Sequence, residues 1–447
     1  MKVAFVENRY KTFFWSAIAD QLSKEGIEIT WLVQNPVFMP KGYSKEFLSL
    51  IKFPTKREFE PVNKASDLSR VKNSDRFINY FGGNDDHYGY YYEQIEKWVE
   101  HEKPDFVVGE STLFHEMIVI DICKSRSIPY IHPSMPGYPG GRYSFYLYDT
   151  KQYLLGETCS LSDEQCLETA DSIKNRERIP DYMVPPSGQE VDRCHPMPGS
   201  VADRLKIFWG YFRGEKYNTP NPISKFLLNR NINRFLDEWD RISLISLETS
   251  SRYVLYPLQM QPEANLDVWG QKYRDQSKLI ESISSNLPDG WKLLIKLNPK
   301  TKYELSESLL SVVKKRDNIA ALPLKMPMSE AFDGSSLVIT VTGTVAVECF
   351  LSFKPLIQLG PGIVEPGKGC SSLNNFSDLK GIVQNIEQNK FILAEDTDRV
   401  DLIRKIYSST YKGIISDPVN KPSVMSFDNI DSVKTAMLKV FNFKNIV

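Results

Sequence analysis

The chain has 447 residues, enough for two or three domains. Lys plus Arg total 55 against 56 Asp plus Glu, a formal net charge of -1, which argues against a protein that coats nucleic acid. With 41% hydrophobic and 25% charged residues the composition excludes long disorder and fibrous structure.

The first 35 residues read as β-α-β: a strand at 2–7, a helix at 12–24 ended by Gly26, and a strand at 27–33. A short helix is expected at 44–53 and a loop at 82–87, followed by a helix at 88–103. A second β-α-β covers 104–109, 114–124 and 128–132, and a Pro- and Gly-rich loop fills 133–141. Helices at 163–175, 201–213 and 224–245 interrupt the alternation, with a Pro-rich stretch at 180–198; they are expected to complete the first half. Alternation resumes with strands at 252–258, 291–297, 319–323, 337–341 and 355–359. Helices are expected at 267–286, 304–314, 328–333 and 345–353, with closing helices at 379–388, 400–411 and 430–441. Apolar strands alternating with helices indicate parallel sheets covered on both faces. The expected division is 1–250, carrying the helical insertion at about 150–250, then 251–425, with a last helix in 426–447 packing back on the first half. Ligands in such sheets bind beyond the carboxyl ends of the strands, so a cleft between two sheets is the expected site.

No run of about 18 apolar residues occurs, so no membrane-spanning helix is expected. Glu7 and Arg9 break the first apolar stretch, unlike a secretory signal. The six cysteines form no CxxC pair and read as reduced thiols of a cytoplasmic protein. Cys159, Cys166, Cys194 and His195 fit no standard zinc spacing, and no metal is expected. There is no GxGxxG after the first strand, no GxxxxGK[ST] and no GxSxG. The single DxD, Asp396-Thr397-Asp398, lies near a late helix, so metal dependence is not expected.

In the first half, Glu110 follows a strand end and suits a general base or charge stabiliser; the plain alternative is a carboxylate facing the next helix dipole. His132 also ends a strand, and Arg142 after a Gly pair suits an anionic substrate group; the alternative is a rigid surface loop. Asp85 and Asp86 beside His87 suit a base or nucleophile; a solvated turn is the alternative. In the second half, strand 337–341 runs into Thr342-Gly343-Thr344 and a helix. Gly343 permits a tight turn, Thr342 or Thr344 suits a cap, and the helix start suits an anion. Glu348 suits sugar or ribose hydroxyls; the alternative is an ordinary strand-cap-helix.

This segment, with Val338-Ile339-Thr340-Val341, Gly343-Thr344, Glu348, Lys354-Pro355 and Leu359-Gly360, resembles nucleotide-sugar transferases. It is most similar to bacterial capsule polysaccharide biosynthesis proteins, the group that includes Kdo transferases. Tyr253–Gln259 resembles the same family's "V-PLQ" strand, and Leu294–Lys300 its "K-x-HP" element, with Asn298 in place of His. The resemblance implies an α/β fold of two Rossmann-like domains facing a cleft (GT-B). It implies a metal-independent glycosyltransferase without a cofactor, acting on a nucleotide-sugar donor and a glycan or glycolipid acceptor of the lipopolysaccharide or capsule kind. Donor contacts would come from Gln259, Gln261, Glu263, Lys296, Asn298, Lys300, Thr342, Gly343, Thr344 and Glu348. Acceptor contacts would come from Arg142 and His87, and catalysis from Glu110, Asp85, Asp86 or His132. Expected partners include no nucleic acid; a peripheral contact with the inner membrane is compatible. A sugar-nucleotide 2-epimerase, a CDP-polyol phosphotransferase and a non-catalytic glycan-binding assembly partner are the alternatives.

Overall fold

The computed structural model describes residues 1–51, 54, 56–59, 68–178, 180, 201, 205, 208–209, 211–212, 217–244, 252–298, 300 and 303–443. Most of the Pro-rich stretch 180–198, most of the expected helix 201–213, and Cys194 and His195 lie outside them.

The first half is built on β1 (Lys2–Val6), β2 (Glu28–Val33), β3 (Leu48–Leu50), β4 (Phe106–Val108), β5 (Tyr130–Ser134) and β6 (Arg142–Leu147). The second uses β7 (Tyr253–Pro257), β8 (Lys292–Lys296), β9 (Ile319–Leu322), β10 (Leu337–Thr340), β11 (Leu356–Gln358) and β12 (Cys370–Ser371). β13 (Tyr411–Lys412) returns to the first sheet, antiparallel to β6. The strand orders are β13-β6-β5-β4-β1-β2-β3 and β12-β11-β10-β7-β8-β9. Counted within each half, both sheets run 3-2-1-4-5-6, the Rossmann order, whose direction reverses between the first and fourth strands. The second sheet is parallel throughout; in the first, β6 pairs antiparallel with β5. The fold is α/β with two Rossmann-like sheets, the GT-B arrangement.

Helices cover both faces of each sheet, because strands this apolar expose no face to water. On the first sheet, α1 (Lys11–Lys24) lies on one side; α2 (Ser69–Ser74), α3 (Arg76–Tyr80), α4 (Tyr88–Glu102) and α5 (Phe114–Ser125) belong to the other. Helix α6 (Asp163–Lys174) begins with a Ser162–Gln165 capping box, and α7 (Pro222–Ile242) with an Asn221 cap and a Pro at its first position. The second sheet adds α8 (Gln276–Ser285), α9 (Glu307–Lys315), α10 (Met328–Asp333), α11 (Val345–Leu351), α12 (Leu379–Glu387) and α13 (Asp396–Ser408). The last helix, α14 (Phe427–Phe441), packs with α1 through Ile430, Val433, Met437 and Val440.

Four expectations are corrected. The helix expected at 44–53 is a short 3-10 turn followed by β3, because β2 offers an open edge to Leu48–Leu50. The helix expected from 267 starts at Gln276; before it lie a π-turn at Asn265–Trp269 and a 3-10 turn at Gln271–Tyr273. At the break between those turns Gly270 is pressed against the backbone, where a Cβ would meet Asn265 O at 2.7 Å. Helices α6 and α7, expected to complete the first half, pack on the second. Cys166, Ala170 and Ile173 join one of its cores and Trp239 the other, with Trp239 Nε1 donating to Leu322 O at 2.8 Å. Strand β6 was not expected at all: Tyr143, Phe145 and Leu147 alternate onto one core, but the run directly follows a Pro- and Gly-rich loop.

Candidate active site

In the second sheet the order reverses between β7 and β10, and the loops leaving these strands define a crevice. Gly343 sits there exposed at φ +101, a conformation that side-chain-bearing residues rarely adopt. The nearest atom to a Cβ built on it is Gln259 Oε1, at 3.7 Å. Gln259 is held in place: its backbone N–H donates to Gln276 Oε1 (2.9 Å) and its Nε2 to Thr340 Oγ1 (3.3 Å). The Thr340 hydroxyl donates to Thr342 O (3.0 Å) and the Thr342 hydroxyl to Asn265 O (3.2 Å). Thr342 is thus a strut of the turn. Thr344 occupies the N-cap position without a side-chain cap, and α11 has only seven residues. Neither threonine caps the helix as expected.

Three further donor-side candidates have roles inside their own half. Gln261 is buried, donating to Asp267 Oδ1 (3.2 Å) and accepting from Gln276 Nε2 (3.2 Å). Glu263 accepts from Asn265 Nδ2 at 3.3 Å. Lys296 is buried and donates to the carbonyls of Leu297 (3.2 Å) and Leu324 (3.0 Å); burial lowers its pKa to about 8. Asn298 accepts from the backbone of Lys300 (2.8 Å), a turn that leaves the Lys300 side chain exposed.

The first sheet reverses between β1 and β4, and Glu110 lies at that point, as expected from its strand-end position. The close approach of Tyr130 requires Gly109, where a Cβ would meet Tyr130 Oη at 2.2 Å. Glu110 is buried and receives Lys11 Nζ at 2.8 Å. Burial raises its pKa and Lys11 opposes the shift. A carboxylate made more basic yet kept beside a cation is suited to proton transfer. Asn8 Nδ2 donates to Glu116 Oε1 at 2.7 Å in the same crevice.

Side chains join the two halves. Tyr80 donates to Asp267 (3.1 Å to Oδ2), and Arg274 Nε donates to Asp267 Oδ1 (2.8 Å). Tyr138 donates to Glu348 Oε1 (2.9 Å), and Arg176 Nη2 to Glu348 Oε2 (3.1 Å). Glu348 is therefore a buried clasp, and burial raises its pKa against Arg176 and Tyr138. His132 stacks between Tyr146 (5.4 Å) and Trp269 of the second half (5.9 Å). Its Nδ1–H donates to Tyr148 O, leaving Nε2 a buried acceptor without a partner. Burial, with Lys151 adding to it, lowers the His132 pKa to about 3. Lys151 lies 3.7 Å over the Trp269 ring, and burial lowers its pKa to about 7. Gln276, Asp267, Trp269 and Lys151 escaped the sequence reading. Only Asp267 and Trp269 carried a signal, the polar-aromatic interruption of an otherwise helical run.

The remaining first-half candidates do not join this cluster. Asp85 pairs with Lys72 (2.6 Å) and Asp86 is exposed, accepting from Asn84 Nδ2 (2.6 Å). His87 is in the core, stacked on Tyr217 at 3.8 Å and 3.5 Å from Asp75. Arg142 is buried: it donates to Thr410 Oγ1 (2.7 Å), Thr410 O (3.0 Å) and Glu157 Oε2 (2.7 Å), and its guanidinium covers Tyr407. These contacts make Arg142 a tie to the returning β13 segment instead of an open anion receptor.

The fold and site define a two-sheet α/β molecule whose halves are joined by side-chain contacts. No family model matches the chain, and no curated protein matches it. Among solved structures it is similar to a UDP-GlcNAc 2-epimerase from Methanocaldococcus jannaschii (15% identity, TM-score 0.29, covering 91% of this chain and 99% of that one). It is also similar to KpsC, a beta Kdo 2,7 transferase from Thermosulfurimonas dismutans (10%, 0.35, 85% and 98%). A third likeness is to MurG from Acinetobacter baumannii (10%, 0.27, 98% and 99%). None of these likenesses bears on the activity of this chain.

Proposed function

We propose that the protein is a glycosyltransferase that moves a sugar from a nucleotide-activated donor, of the CMP-Kdo or UDP-sugar kind, to a bacterial surface polysaccharide acceptor. The observation that supports it is the pairing of two strand-order reversals across one cleft, with an open Gly343–Gln259 crevice on one side and Glu110 on the other. The nucleotide would lie against Gly343 and Gln259. The acceptor would lie against the first sheet, where Glu110 takes the proton of the attacking hydroxyl as the nucleotide leaves the anomeric carbon. Lys11 then stabilises the carboxylate between turnovers. A peripheral membrane contact through α7 fits the reading, since Ile223 (75%), Phe226 (67%) and Leu227 (52%) are exposed beside Lys225 and Arg230.

A thermal-shift screen over CMP, CDP, UDP, GDP and their sugars tests the donor site. Stabilisation by one nucleotide series, followed by sugar transfer to a glycan, is the expected result. No nucleotide binding, or epimer formation from the donor alone, would overturn it.

A further inference from the structure

The crevice of the first sheet holds a cation that forms no salt bridge with a described carboxylate. Arg76 and Tyr80 lie one turn apart on α3 and share a face. Tyr80 reaches the second half, with its ring 4.9 Å from Tyr303 and its hydroxyl on Asp267. Arg76 Nε is buried without a hydrogen-bond partner, and no described carboxylate forms a salt bridge with the residue. The carboxylates whose charge it feels, Asp267 and Glu116, are already engaged. Asp267 accepts from Tyr80, Gln261 and Arg274. Glu116 accepts from Asn8 Nδ2 (2.7 Å) and from the backbone N–H groups of Thr112 (2.9 Å) and Leu113 (2.8 Å). The second guanidinium of this crevice, Arg9, stands in the turn after β1 at φ +44, and its charge repels that of Arg76. Burial and this repulsion both lower the Arg76 pKa. A half-buried guanidinium whose Nε is sealed from water without a partner, with a like charge nearby, favours entry of an anion.

We infer that Arg76, with Arg9, receives an anionic group of the acceptor, a carboxylate or phosphate carried by a sugar. This assignment to the acceptor rests on the transferase reading above. An arginine fork suits either group, since both present paired oxygens. The acceptor would then be an acidic glycan, held by its charge beside Glu110.

The test uses the full chain, with D-glucuronate and glucose 6-phosphate as probes, glucose as the neutral control, and CMP and UDP in parallel. The two anionic probes separate carboxylate from phosphate recognition. Binding of at least one anionic probe but not of glucose is expected, and Arg76→Met should weaken it about tenfold or more, with nucleotide binding unchanged. Arg76→Met should also melt at a higher temperature than wild type, because it removes a buried, unpartnered Nε and a charge repelled by Arg9. Equal binding of glucose, unchanged anion binding in Arg76→Met, or a lower melting temperature would overturn the anion site. Parallel loss of nucleotide and anion binding would overturn its assignment to the acceptor. Anion binding in a protein that binds no nucleotide would leave the site standing while the transferase reading fails.

Discussion

Glu110, Gly343 and His132 owe their chemistry to burial and backbone geometry more than to residue type. Burial raises the Glu110 pKa while Lys11 opposes the shift, which suits the general base of the proposed function. Glu110→Gln keeps the shape and removes the base, so kcat should fall by about 10²–10⁴ with donor affinity unchanged; steady-state kinetics and nucleotide titration check this. Gly343→Val places a side chain at φ +101, at a strain of about 1–3 kcal/mol, and should lower both melting temperature and nucleotide affinity. His132 protonates at about 3 in the fold against an ordinary 6.5. Between these values the unfolded chain binds the extra proton, so stability is intact above about 6.5 and is lost as pH falls towards about 3. Urea midpoints measured across that range should fall less steeply in His132→Asn than in wild type.

Among the elements, the short connections matter more than the long helices. The π-turn at Asn265–Trp269 carries Asp267 to Tyr80, Trp269 to His132, and Val268 into a core of the first half. The Tyr138–Glu348 hydrogen bond joins the loop after β5 to α11. Tyr138→Phe and Glu348→Gln should therefore be non-additive, with a coupling of about 0.5–3 kcal/mol in a double-mutant cycle read by denaturation. The strands and longer helices were legible because each buries a regular apolar face. The π-turn was not legible, because its polar residues are satisfied by side chains distant from the turn itself, Tyr80 of the first half among them. Nor was the fate of Arg142: a Gly pair and an arginine read alike whether the guanidinium meets substrate or Thr410.

For the whole molecule, the chain's return is decisive. After α13 it crosses back, adds β13 to the first sheet and lays α14 on α1. Removing 409–447 would strip Tyr411, Val433, Met437 and Val440 from that core, each side chain contributing about 1.5–3 kcal/mol. The truncated chain should be insoluble or melt well below the full chain, which expression and calorimetry would reveal.

Local pattern alone determined the alternation of strands and helices, two α/β sheets, and the strand-end positions of Glu110, Gln259 and Gly343. Those features follow from apolar periodicity and from glycine at turns, which neighbouring residues decide. Tertiary structure decided that α6 and α7 belong to the second half, that Glu348 is a clasp, and that His87 and Arg142 are interior struts. It also decided that Arg76 has no carboxylate partner among the described residues. Such outcomes depend on which distant group arrives beside a side chain, and on whether that group already spends its hydrogen bonds elsewhere.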